Sequence, residues 1–392
     1  MIDPRIPDSV IRRVLEPLQV IAAKGVSPGL SGAVVFRCQR GSGNDFALKR
    51  WPSETTRERV EEVHRVVACA RRNGCDLVPE LISVSNSQTF LVDRSGIWEA
   101  QQWMQGSSDR GSRGLSGNLG SFVDAGSLEG LVLPGRPVSS DSLLEETRLR
   151  IENGARAIRR FHNSVRELGV TQQVPLAVVS RVKRVEELDR ELPQLAAQMH
   201  SEGKSIQLST DKDLDLALQD ACRLVGMKWT RSAARIARSM GEHLGNSIET
   251  HYVLRDIHRE HVFFEDSAVS GLIDFDAVRV DTPLADLARW TGSWMTDYDG
   301  GDLIWRAASA GFFPNPPFQE GERTDKKWKT LGLSQHEEKQ IHFAKELCFA
   351  TNWISLGNWL VWLMAEKRVF RASPTALATR IRQLIRSCSQ QL

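Results

Sequence analysis

Between His251 and Trp290 the sequence HYVLRDIHREHVFFEDSAVSGLIDFDAVRVDTPLADLARW places acidic side chains on either side of an apolar hairpin. Asp256 falls in a short polar loop. HVFFE and LIDF read as two strands joined by the turn DSAVSG, and Asp274 and Asp276 come at the end of the second strand. Such a layout holds a divalent cation and a reacting hydroxyl close together. Pro283 then opens a helix in which Asp286 is a first-turn acid, placed to brace the polar loop through backbone hydrogen bonds.

Upstream of this stretch the chain alternates turn signals with short apolar runs. Ser9 to Ala23 has apolar residues at Val10, Ile11, Val14, Leu18 and Ile21, a helical spacing. Gly25 to Gly32 (GVSPGLSG) breaks that helix, and AVVFRCQ follows as a strand. A glycine-rich turn opening into a strand lets backbone N–H groups approach phosphate oxygens, although a plain hairpin turn has the same composition. After the GSGND turn, Phe46-Ala47-Leu48-Lys49 is a second strand that ends in a lysine. Thr55 to Asn73 reads as a helix, with Val60, Val63, Val67 and Ala70 along one stripe. Glu58, Glu61, Glu62 and His64 are available on it to orient the lysine. Periodicity does not choose among them; Glu62 is taken as the partner, with a solvated helix face as the alternative. VPELISVS, QTFLVDR and IWEAQQWM complete an antiparallel sheet. Gln101 to Gly106 is then the segment expected to lead out of the small lobe.

The composition shifts at that point. Residues 107–142 are rich in Gly and Ser with little periodicity and read as a loop or linker. Leu143 to Leu168 restarts as a helix whose His162 reads as a packed core residue, and Gln172 to Met240 is helical and charged. The expected organisation is therefore an N-terminal lobe over 1–106, the linker over 107–142, and a helical C-terminal lobe over 143–392 carrying the polar loop and the hairpin. The C-terminal third is rich in tryptophan, which reads as helix core.

Composition excludes several classes. Lys and Arg number 51 against 49 Asp and Glu, so neither nucleic acid nor a membrane surface is implied as a bulk partner. The six scattered cysteines form no C-x-x-C pair and read as reduced thiols of a cytoplasmic protein, and the N-terminus shows no secretory signal pattern. Leu347 to Ala365 is uncharged and long enough to span a bilayer. Asn352, Ser355, Gly357 and Asn358 in its middle favour a buried helix instead.

The order Leu254-Arg255-Asp256 with His261 five residues after the Asp, then Asp274-Phe275-Asp276, follows the protein-kinase signature H-R-D-L-x-x-x-N … D-F-G. Leu254 stands for the leading His, His261 for the Asn and Asp276 for the Gly. Phe46 to Lys49 matches the V-A-I-K strand of the same signature. Asp274 to Pro283 leaves no room for an activation segment, which favours a small-molecule acceptor over a protein. On these residues, with Ile273-Asp274-Phe275 and Asp286-Leu287-Ala288, the chain resembles the aminoglycoside phosphotransferase and choline kinase branch of the protein-kinase-like superfamily. The resemblance covers most of the chain and implies an α+β, bilobal protein-kinase-like fold, a small antiparallel-sheet lobe plus a larger mainly helical lobe. It also implies ATP and Mg2+ as cofactors and a small-molecule hydroxyl substrate. Asp256 would accept the hydroxyl proton, Asp274 would bind the metal, and Lys49 would contact phosphates. Gly29, Ser31 and Gly32 would cover the triphosphate.

His261 is the departure that matters most, because magnesium prefers hard oxygen ligands and imidazole suits zinc, manganese or iron. Three readings follow. An ATP-dependent small-molecule kinase accounts for most residues. A pseudokinase or nucleotide-binding module with little turnover accounts for His261 and the diffuse glycine loop. A metal-dependent hydrolase would use His258, His261, Asp256 and Asp274 as a two-His, two-carboxylate centre, but leaves Lys49 unexplained.

Overall fold

A computed structural model describes residues 1–26, 32–84, 88–109, 140–201, 209–296, 301–313, 334–370 and 372–390. By internal contacts the chain forms two compact units. One comprises Met1–Arg150 with Glu260–Asp276; the other comprises Ile151–Arg259 with Ala277–Leu392.

The first unit begins with helix α1 (Asp8–Val10), continued by a π turn over Ile11–Leu15. Strand β1 (Val20–Gly25) follows, so the helix expected to reach Ala23 stops short. Its apolar spacing persisted into a β-branched run that pairs antiparallel with β2 (Val34–Arg40), and edge pairing decided the conformation. β3 (Phe46–Arg50) pairs with β2. Helix α2 (Arg57–Arg72) is capped by Thr56, whose side chain accepts from the Arg59 N–H. β4 (Leu81–Ile82), β5 (Phe90–Asp93) and β6 (Gly96–Gln102) complete a six-stranded sheet, with β4 much shorter than VPELISVS suggests. Val10, Val14 and Leu15 pack on Phe36, Phe46, Leu48, Leu91 and Trp98 as its apolar core, each such burial stabilising by about 1.5–3 kcal/mol. The short strand β7 (Ser107–Ser108) ends this part. The linker expected over 107–142 lies mostly outside the described residues.

Helix α3 (Ser140–Ser164) runs from the first unit into the second. There β8 (Thr171–Gln173), α4 (Leu176–Ser201), α5 (Lys212–Gly241) and β9 (Ile248–Val253) follow. After the Asp256 loop the chain returns to the first unit as β10 (Val262–Glu265) and β11 (Ala268–Leu272). These form a three-stranded sheet in the order β11-β10-β7. Gly106 permits it: its φ is +85°, and a Cβ there would lie 2.4 Å from the Phe264 carbonyl oxygen. The second hairpin strand is therefore AVSGL, and Ile273-Asp274-Phe275 lies beyond it.

β12 (Arg279–Asp281) pairs with β9 back in the second unit. Four helices follow: α6 (Pro283–Trp294), α7 (Gly301–Phe312), α8 (Gln335–Leu360) and α9 (Pro374–Gln390). Trp290, Trp294 and Trp353 are fully buried, in line with the core reading of the tryptophans. Trp290 fits because residue 154 on α3 is glycine; a Cβ there would fall 2.1 Å from the indole. Among the described residues no helix is long and apolar enough to cross a membrane. All six cysteines are buried free thiols.

Candidate active site

In the first unit, sheet pairing places Lys49 directly opposite Glu99 on neighbouring strands β3 and β6, so both side chains project from the same face. Both are buried. The Lys49 ammonium forms an ion pair and hydrogen bond with Asp276 Oδ1, a residue 227 positions away in sequence. The ammonium also stands 4.3 Å from the centre of the Trp51 ring. Burial works against the lysine's charge, but Asp276, then Glu99 and Asp274, outweigh it and hold its pKa above the ordinary lysine value. Asp276 responds the other way. Burial pushes its carboxyl up to about 6 against the pull of Lys49, and the charges of Asp274 and Glu99 add to the rise.

Glu99 is fixed by two donors on one oxygen. Trp51 Nε1–H donates to Oε2 at 2.8 Å and His64 Nε2–H donates to the same atom at 2.6 Å. His64 Nδ1 lies 2.6 Å from the Thr89 hydroxyl. Burial acts to raise the Glu99 carboxyl, yet the His64 bond and the Lys49 charge hold it below the usual glutamate value.

Glu62 does not partner Lys49. Its Oε2 accepts from Arg59 Nη1 at 2.6 Å, and Arg59 Nη2 donates to the Asp276 carbonyl at 2.6 Å. Helical position 62 points along α2 toward Arg59, three residues earlier, and an i,i+3 pair forms instead. Gly32 is described and has φ +81°, a conformation glycine adopts without strain. Gly29 and Ser31 lie outside the described residues.

On the hairpin, His261 Nε2 is 3.4 Å from Asp274 Oδ2. Asp274 has φ +64°, an uncommon backbone state for a non-glycine residue, and its side chain is 33% exposed. Asp276 Oδ2 is buried without a hydrogen-bond partner. An accessible carboxylate next to a buried, unsatisfied carboxylate oxygen suits a hard divalent cation, which takes one or two protein carboxylates and fills its remaining positions with water and phosphate oxygens. Among the described residues no group of three or more His, Cys, Asp or Glu side chains is arranged to enclose a metal ion.

The second unit holds Asp256 in a loop that is built rather than loose. Asp286, fully buried in the first turn of α6, accepts the Leu254 N–H on Oδ2 at 2.7 Å and the Arg255 N–H on Oδ1 at 2.6 Å. His162 Nε2–H donates to Asp286 Oδ2 at 2.8 Å, so this histidine is buried as expected and also carries a polar contact. Arg255 has φ +64°, and the Asp256 N–H returns to the Leu254 carbonyl at 2.8 Å. The turn leaves the Asp256 side chain 47% exposed, with Oδ1 accepting from Arg289 Nη2 at 2.8 Å and Nε at 3.1 Å. A carboxylate paired with a guanidinium and open to solvent can orient a hydroxyl and take its proton. Arg255 Nε also stands 3.4 Å from Asp281 Oδ2, while Asp281 Oδ1 accepts the Ala177 and Thr282 N–H groups. Burial raises the Asp281 carboxyl above its usual range.

Glu99, Arg289 and the Lys49–Asp276 pair were not foreseen from the sequence. Glu99 had a readable signal, an acid between Trp98 and Ala100 inside an apolar strand. Arg289 follows Asp286 by three residues on one helix, yet nothing local says that it reaches Asp256.

Compared with known proteins, residues 22–317 match the model of the Phosphotransferase enzyme family. None of the curated proteins matches the sequence. Among solved structures the chain is similar to an aminoglycoside phosphotransferase from Alicyclobacillus acidocaldarius subsp. acidocaldarius DSM 446, at 12% identity and TM-score 0.51 over 99% of this chain and 95% of that one. It is also similar to a spectinomycin phosphotransferase in complex with ADP and spectinomycin, at 10% identity and TM-score 0.50 over 97% and 100% of the two chains. An amicoumacin kinase in complex with AMP-PNP and Ca2+ gives 9% identity and TM-score 0.51 over 97% and 94%. At these identities the likeness is one of fold, the α+β kinase-like architecture.

Proposed function

The chain belongs to the phosphotransferase enzyme family, and on that premise we propose that it transfers the terminal phosphoryl group of ATP to a hydroxyl of a small molecule. The observation that carries this is the meeting of Lys49, a buried strand lysine, with the hairpin acids more than two hundred residues later. That lysine-and-carboxylate pairing is what positioning a nucleotide triphosphate asks for, since phosphoryl transfer depends on alignment and charge neutralisation more than on covalent chemistry. Support also comes from similar structures, of which one holds ADP and another AMP-PNP with Ca2+.

In this proposal Asp256 orients the acceptor hydroxyl and takes its proton, while Arg289, bonded to Oδ1, keeps the carboxylate aimed. Lys49 trades Asp276 for phosphate oxygens. Gly32 supplies a backbone N–H over the phosphates, and the expected contributions of Gly29 and Ser31 fall outside the described residues. Asp274, with His261 and the spare oxygen of Asp276, would hold Mg2+, which neutralises phosphate charge when bound.

The test is magnesium-ATP binding followed by turnover on a panel of hydroxyl compounds. A rise in melting temperature with magnesium-ATP, and transfer activity abolished in Asp256→Asn and Asp274→Ala, is the expected result. An unchanged melt at saturating magnesium-ATP overturns the proposal.

A further inference from the structure

A lysine that leaves one carboxylate for a phosphate needs a second, fixed counter-charge to hold its position, and helix α2 does not provide one. Glu58 is exposed, Glu61 pairs with Arg57 at 2.8 Å, and Glu62 pairs with Arg59. The residue α2 turns toward the sheet is His64, whose Nε2–H meets Glu99. Glu99 stands opposite Lys49 in the strand register, and Trp51 joins the two, lying under the ammonium and donating its indole N–H to Glu99.

We propose that Glu99, fixed by His64 and Trp51, is the positioning residue for Lys49, acting from the neighbouring strand in place of a glutamate on the helix. This rests on the reading of Lys49 as a nucleotide contact. When Lys49 exchanges Asp276 for a phosphate, Glu99 stays behind it as the counter-charge. It cannot follow the lysine, because its Oε2 is tied by two donors. His64 thereby connects the helix to the lysine through one intervening carboxylate, with Thr89 setting the far side of the ring.

The experiment is a calorimetric double-mutant cycle, titrating magnesium and AMP-PNP into the full chain as wild type, Glu99→Gln, Lys49→Met and the double variant. Glu99→Gln retains the size of the side chain and an oxygen for the Trp51 and His64 donors while removing the charge. We expect it to weaken AMP-PNP about tenfold when Lys49 is present and less than about twofold in the Lys49→Met background. No loss in Glu99→Gln overturns the proposal, as does an equal loss in both backgrounds, which marks Glu99 as a structural residue only. If Glu99→Gln fails to fold, His64→Gln takes its place in the same cycle with the same criteria. Failure of the wild type to bind AMP-PNP, or binding untouched by Lys49→Met, overturns instead the underlying assignment of Lys49 to the nucleotide.

Discussion

Two buried acidic centres among the described residues, one in each unit, are neutralised in different ways. In the first unit, Asp276 and Glu99 sit around one cation, the Lys49 ammonium. In the second, Asp286 accepts two backbone N–H groups and an imidazole. An ion pair made by a lysine side chain can be exchanged for another anion without disturbing the backbone. Hydrogen bonds that fix Leu254 and Arg255 cannot be given up without losing the loop. The first centre is therefore suited to chemistry and the second to architecture.

Removing the architectural acid should have the largest effect. Asp286→Ala leaves two N–H groups and a buried imidazole without their acceptor, and we expect a loss of about 3–5 kcal/mol in urea unfolding. A loss below about 1 kcal/mol would erase the distinction between the centres. Lys49→Met should cost less, about 2–3 kcal/mol near pH 7.5, because Asp276 can respond to the missing cation by taking up a proton. Its carboxyl already stands at about 6 with Lys49 present. The folded state then binds the proton more readily than the unfolded chain, so the cost shrinks as pH falls. A cost independent of pH between 5 and 8 would contradict this.

Next comes the acid limb of stability. His251 is buried, its Nδ1–H donates to the Tyr252 carbonyl at 2.9 Å, and burial, with His162 nearby, holds its pKa down at about 4. The unfolded chain takes the proton near pH 6.5 and the folded chain only near 4. Stability from this group is therefore complete above about pH 6.5 and falls by on the order of 2–3 kcal/mol as pH drops toward 4. Denaturation midpoints of wild type and His251→Gln should converge across that window; parallel curves would refute the assignment. The smallest structural effect is expected at Asp256. Half-exposed, it contributes under about 1 kcal/mol through Arg289. Asp256→Asn should nonetheless lower turnover at least about a hundredfold, and a large loss of stability would make Asp256 a second architectural acid.

The sequence was most informative where chemistry and local pattern coincide. The polar loop, the apolar hairpin and the first-turn acid Asp286 could all be read, because each needs a particular residue within a few positions of a turn or cap. The lysine strand was legible for the same reason. Glu99 and Arg289 were not, since their roles depend on strand register and on the reach of a helix side chain to a loop more than thirty residues away. Glu62 shows the opposite error. A glutamate on the right helix was visible, but its direction was set by Arg59. The N-terminal helix was overextended because apolar spacing alone cannot see the edge of β2 waiting to pair with Val20–Gly25.

The hairpin Glu260–Asp276 belongs by contact to the first unit, although the whole of Ile151–Arg259 precedes it in the chain. During synthesis the N-terminal unit therefore cannot finish folding when its own first stretch has left the ribosome. β7 waits for β10, and Lys49 waits for Asp276, until the ribosome has completed more than half of the protein. Long-range closure of this kind slows folding and exposes unpaired strand edges meanwhile. A fragment ending near Arg150 should accordingly be a chaperone client rather than an autonomous module.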